Sequence, residues 1–221
     1  MSIFRSMWWC GVVVSATSIA CPGLAMADDA QITIVDIGDS YIIGHGVPAG
    51  ETFPVRLQAA LDAAGRSVKV VDTGFVDNSK RGLLWLTKGS VGMALLAEPA
   101  GHAVILELGQ NDCLLFNLDQ TRTNLDAILA ELAEKKIPVL VVGTAAYAFC
   151  GADYIAAFPE VFRGLAAKYG DLLYLDFKEG VTGHPELIGP DGDHANSAGE
   201  AVVVERMLPS VLALIDRVEK P

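Results

Sequence analysis

Five short apolar runs, each followed by a stretch with helical spacing, constrain this chain more than anything else in it. They cover residues 32–37, 68–72, 103–108, 138–143 and 172–176, and valine, isoleucine and leucine dominate them. Runs of this kind read as strands buried on both faces. The stretches 53–64, 79–97 (in two pieces), 123–136 and 154–169, with 197–218 closing the chain, carry one-sided apolar stripes. Leu125, Ile128, Leu129 and Leu132 recur at i, i+3, i+4 and i+7, the spacing of a single helix face. Asn196-Ser197 supplies an N-cap before the last helix. Short strands alternating with helices predict a parallel sheet covered on both sides, an α/β fold. With no internal repeat, low-complexity tract or linker, residues 28–221 are expected to form one domain.

The charge excludes one class of partner. At a formal −11 and with no basic stripe, the surface would repel a phosphate backbone, so nucleic acid is not expected. The N-terminus reads as a processing segment. Arg5 precedes an apolar stretch containing Trp8, Trp9, Val12, Val13 and Val14. Ala25-Met26-Ala27 then offers small residues at the two positions a signal peptidase reads, and Asp28-Asp29 opens a polar chain. Residues 1–27 are therefore expected to be a secretory signal cleaved after Ala27. Pro22-Gly23 interrupts an apolar run already too short to span a bilayer, so no membrane anchor is expected. Cys21 would serve a lipoprotein signal, but Ser18 stands where a leucine is needed. The expectation is a periplasmic or secreted protein, with no protein partner implied.

In a parallel α/β sheet the loops after the strands gather on one edge, and that edge holds the chemistry. Gly38-Asp39-Ser40 ends the first run. A hydroxyl there is either a nucleophile facing a cleft or a cap for the next helix. A serine nucleophile needs a base within hydrogen-bond reach, and histidine suits proton transfer near neutrality. Of His45, His102, His184 and His194, only His194 has a carboxylate, Asp191, three residues before it. On a tight loop that spacing lets the acid fix the tautomer while the other ring nitrogen meets Ser40. Asp191, Asp193 and His194 could instead bind a metal, but no histidine or cysteine ligand follows nearby, so no metal is expected. Asn111, after the third run, offers an NH2 to a developing oxyanion and could equally be a turn residue. A backbone N–H between Gly74 and Val76 is a further candidate donor. Leu114 and Trp85 are candidates for contact with an acyl group.

Gly38-Asp39-Ser40, Gly109-Gln110-Asn111-Asp112 and Asp191-x-x-His194, in this order, resemble the SGNH or GDSL hydrolases. The likeness is to their exported thioesterase, lysophospholipase and arylesterase branch. Glu107-Leu108 ahead of Gly109 and Ala167-Lys168-Tyr169-Gly170 extend it over nearly the whole chain after residue 27. The resemblance implies a flavodoxin-like three-layer α/β/α sandwich with five parallel strands in the order 2-1-3-4-5. It implies Ser40 as nucleophile, His194 as base and Asp191 as its orienting acid, with no cofactor. The Ser40 N–H, the Asn111 amide and a second-block N–H would form the oxyanion hole. That last donor falls on Val76, where the family has glycine, with Gly74 as the alternative. Gln110 replaces a family glycine, Ala195 a proline and His45 a tyrosine. The activity implied is hydrolysis of carboxylic esters or thioesters of small molecules or lipids. A carbohydrate O-acetylesterase and a non-catalytic lipid or glycan binder are the alternatives. Cys113 and Cys150 fall just beyond strands placed side by side, so a disulfide is expected to join those two loops, two free thiols being the alternative.

Overall fold

The structure is a computed structural model describing residues 31–220; the signal expected at residues 1–27 lies outside the described residues. Five parallel strands form one sheet in the order β2-β1-β3-β4-β5. They are β1 (Ile32–Gly38), β2 (Val68–Phe75), β3 (His102–Glu107), β4 (Val139–Val142) and β5 (Leu172–Tyr174). The helices are α1 (Phe53–Ala63), α2 (Ser79–Lys88), α3 (Ser90–Ala97), α4 (Leu118–Glu134), α5 (Ala152–Tyr169) and α6 (Ser197–Glu219).

Alternation along the strands explains the three layers. Ile34, Ile105, Leu140 and Val142 point to one face and pack with Phe53, Leu57 and Leu61 of α1 and Val203, Met207 and Val211 of α6. Val35, Val104, Leu106, Val139 and Val141 point to the other, against Leu125, Ile128 and Leu129 of α4 and Phe158 and Phe162 of α5. Both faces are apolar, so the strands read as continuous rather than alternating runs. Fully burying one such side chain contributes about 1.5–3 kcal/mol.

Two of the boundaries that differ from the sequence reading have a local cause. Helix α4 begins at Leu118, five residues before 123, because Asn117 accepts from the Gln120 N–H and Gln120 reaches back in a capping box. Strand β2 continues past Asp72 to Phe75 because its pairing with β1 shifts register and Gly38 then meets Phe75. Gly74 lies in this irregular stretch at a φ of 74°, a left-handed value that favours glycine. The strand order reverses between β1 and β3, and Ser40 and Asn111 follow those two strands. That crevice is where open α/β sheets bind ligands.

Candidate active site

Ser40 sits in the turn leaving β1. Gly38 is required there, since a Cβ at that position would overlap the Ile42 side chain and come within 3.2 Å of the Glu107 carbonyl. The tight turn leaves the Ser40 side chain half-buried and facing the loop before α6. Ser40 Oγ lies 2.7 Å from His194 Nε2, and His194 Nδ1 lies 2.7 Å from Asp191 Oδ2. Asp191 Oδ1 accepts the backbone N–H groups of Asp193 (3.0 Å) and His194 (3.1 Å), so the loop folds around its own carboxylate. Those amide donors, Asp193 first, and the imidazole hold the Asp191 carboxyl down at about 2. Asn196, two residues on, caps α6 by accepting from Ala198 and Gly199, which fixes where the loop ends.

Asn111 comes from the short 3-10 turn Gln110–Leu114, entered through Gly109 at a φ of 124°. Its amide is fully oriented. Tyr147, in the loop after β4, donates to Asn111 Oδ1 at 3.1 Å. Asn111 Nδ2 donates to the Asp77 carbonyl at 2.9 Å and to Asp39 Oδ2 at 3.2 Å. The Cys113–Cys150 disulfide joins the same two loops, with 5.7 Å between the Cα atoms.

The expected third oxyanion donor needs correcting. The Val76 N–H donates to the Gly38 carbonyl at 2.9 Å and continues the sheet pairing instead of facing the cleft. The Gly74 N–H is held by Asp72 Oδ1 at 2.7 Å. Trp85, on α2, is half-buried and packs against the layer beneath α4 and α5. Leu114 is 59 % exposed, directly after the cysteine that follows the Asn111-Asp112 pair. Of the remaining histidines, His102 opens β3 at the opposite edge of the sheet and His184 pairs with Glu186 at 3.1 Å. His45 lies beside the site, its ring centroid 4.8 Å from that of His194.

Two polar clusters beneath the site were not visible in the sequence. In one, Gln110 Nε2 donates to the Tyr41 hydroxyl (2.6 Å), which donates to Asp193 Oδ1 (2.7 Å). Lys178, 9 % exposed, donates to the same oxygen at 2.8 Å and to the Asp193 carbonyl at 3.0 Å. Gln110, in place of the family's glycine, thus braces the segment carrying His194. In the other, Asp39 and Glu107 are both fully buried and adjacent. Burial raises the Asp39 carboxyl to about 7, and burial with the Asp39 charge pushes Glu107 well above the usual carboxylate range.

A hydroxyl, an imidazole paired with a carboxylate, and an oriented amide at the switch point of a 2-1-3-4-5 sheet define a serine hydrolase of the flavodoxin-like type. The profile of the GDSL-like Lipase/Acylhydrolase family matches residues 37–202, and the chain belongs to that family, the SGNH hydrolases. Among individual proteins, Esterase TesA of Pseudomonas aeruginosa is 30 % identical over 185 residues, covering 83 % of this chain and 89 % of that protein. Thioesterase 1/protease 1/lysophospholipase L1 of Escherichia coli is 27 % identical over 185 residues, covering 83 % and 85 %. The crystal structure of TesA matches with a TM-score of 0.73 at 30 % identity, over 82 % of this chain and 99 % of that one.

Proposed function

We propose that this protein hydrolyses carboxylic esters and thioesters through an acyl-serine intermediate on Ser40. The observation that carries the reading is the unbroken chain Ser40 Oγ–His194 Nε2 and His194 Nδ1–Asp191 Oδ2, each link 2.7 Å. Ser40 Oγ attacks the carbonyl carbon as its proton passes to His194 Nε2. Asp191 keeps the Nδ1 proton in place and stabilises the imidazolium that forms. The oxyanion is received by the Ser40 N–H and the Asn111 amide, which exchanges its longer 3.2 Å contact with Asp39 for the substrate oxygen. His194 then returns the proton to the departing alkoxide or thiolate, and water cleaves the acyl-serine by the same route. Every proton moves between groups of this chain, substrate and water.

The names of the relatives, an esterase and a thioesterase/lysophospholipase, support ester and thioester substrates over carbohydrate O-acetyl groups. Leu114, Leu115 and Phe149, all exposed beside the oxyanion loop, give an apolar acyl chain somewhere to lie. We infer that the protein is exported. The leader-like residues 1–27 support this, as does the disulfide, which persists in oxidising compartments. Among the described residues no helix is long and apolar enough to cross a membrane.

Replacing Ser40 with alanine tests the reading. Turnover of p-nitrophenyl butyrate is expected to fall by about 10⁵-fold or more, with the circular dichroism spectrum unchanged. Retained turnover in the folded variant would end it.

A further inference from the structure

We propose that His45, His194 and Asp191 form a binding site for Zn²⁺, or a cation of similar ligand preference, and that filling it shuts off hydrolysis. The inference rests on the reading of His194 as the catalytic base. One ring nitrogen from each histidine and one Asp191 carboxylate oxygen all lie within 4.8 Å of one another. Among the described residues this is the one group of three metal-ligating side chains so gathered. The imidazole rings face each other at 54°, with centroids 4.8 Å apart. His45 and Asp191 are exposed and His194 is half-buried, so an ion reaches the group directly from solvent.

The donor set selects the metal. Two imidazoles and one carboxylate, with a fourth position open to water, suit zinc, whereas magnesium and calcium favour all-oxygen shells. Zinc holds such ligands at ~2.0–2.2 Å, so the three donors must draw closer than 4.8 Å. His45 can supply that movement. Its side chain is exposed, and its backbone is held by a 3.0 Å hydrogen bond from its N–H to the Ser40 carbonyl. A rotation about its side-chain torsions therefore carries the ring toward His194 without reorganising the turn. Asp191 is already anchored by two backbone N–H groups, the kind of outer support that orients a ligand. A chain with a formal charge of −11 attracts cations.

Metal binding and catalysis compete for one ring. The reaction needs the lone pair on His194 Nε2 for the Ser40 proton and the hydrogen on Nδ1 for Asp191. A metal at Nε2 uses that lone pair, and a metal at Nδ1 moves the ring hydrogen to Nε2, the nitrogen that faces Ser40. In either case the imidazole cannot accept the Ser40 proton, so the occupied protein is inactive. Removal of the ion restores the pair.

The test titrates the exported, disulfide-bonded protein with ZnCl₂ in a chelator-free buffer, reading bound zinc by calorimetry and p-nitrophenyl butyrate turnover in parallel. One Zn²⁺ per chain is expected to bind and lower turnover by about tenfold or more, with EDTA restoring it and MgCl₂ having no effect. His45→Ala should keep its basal turnover within about twofold and bind zinc at least about tenfold more weakly. His184→Ala should behave as wild type. Ser40→Ala should still bind one zinc ion, which separates failure of the metal site from failure of the hydrolase reading. Absence of stoichiometric binding, or binding unchanged by His45→Ala, or binding lost in His184→Ala instead, overturns the site. Stoichiometric binding with undiminished turnover overturns the inhibition.

Discussion

Asn111 shows how much of this site depends on the way one side chain is held. Its carbonyl accepts from Tyr147, while its NH2 donates to the Asp77 carbonyl and to Asp39. The Asp39 contact is the one given up to the oxyanion, so without the Tyr147 hydroxyl the amide is held by the Asp77 carbonyl alone as the negative charge develops. Tyr147→Phe is therefore expected to lower kcat by about tenfold while leaving KM within about twofold, the signature of an interaction realised in the transition state. Steady-state kinetics on p-nitrophenyl butyrate decide it, and an equal rise in KM would assign Tyr147 to substrate contact instead. Ser40, Asp191 and His194 can be singled out in the sequence because each stands in a short pattern with a chemical reason. Tyr147 had no such pattern: 36 residues separate it from Asn111, and they meet only because β3 and β4 are neighbours. Val76 failed for a different reason. Spacing placed it correctly in the chain, but spacing does not say which way an N–H points.

At the scale of elements, the pairing of β3 with β4 also brings Cys113 and Cys150 together across a separation of 37 residues. Closing a loop of that length stabilises a fold by about 4 kcal/mol on the chain-entropy account. Cys113→Ser with Cys150→Ser should accordingly lower Tm by about 10 °C in a protein of this size. Calorimetry of the double variant checks this; an unchanged Tm would show that the bridge restrains nothing. Helix α6 carries a pH dependence of its own. Glu200 is 2 % exposed, and burial raises its carboxyl to about 8 against the nearby Arg56. The folded form holds this proton more tightly than the unfolded chain, so its stabilising effect is complete below about 4.5. It is lost as pH rises through the window up to about 8. Glu200→Gln should therefore flatten the stability curve across that window and raise Tm at pH 8 relative to wild type. Thermal melts at pH 4, 6 and 8 measure it; a variant less stable at every pH would contradict the assignment. The start of α4 was available in the sequence as Asn117 followed by Gln120, a capping box that apolar periodicity alone passes over. Glu200 was not available, because nothing in the chain marks which polar side of α6 turns inward.

For the whole molecule, the α/β class followed from five apolar runs and the intervening amphipathic stretches, while the order 2-1-3-4-5 came only through the resemblance. Strand order is a statement about neighbours in space, and alternation along the chain fixes the elements but not their sequence across the sheet. Once that order holds, the reversal between β1 and β3 places Ser40 and Asn111 on the two sides of one crevice. The remaining polar contacts are consequences of side chains meeting there.

Parallel strands all run the same way, so the molecule has two poles with unequal duties. Ser40, Asn111, Tyr147 and His194 crowd one pole, and the turns around Gly101 and Lys136, which lead into β3 and β4, lie at the other. A six-residue strand places about 20 Å between them. A short flexible peptide spliced in at Gly101 should leave ester turnover within about twofold of the parent, whereas the same peptide after Leu115 should abolish it. The distal pole is the handle by which this hydrolase can be tethered, fused or labelled while its working end stays untouched.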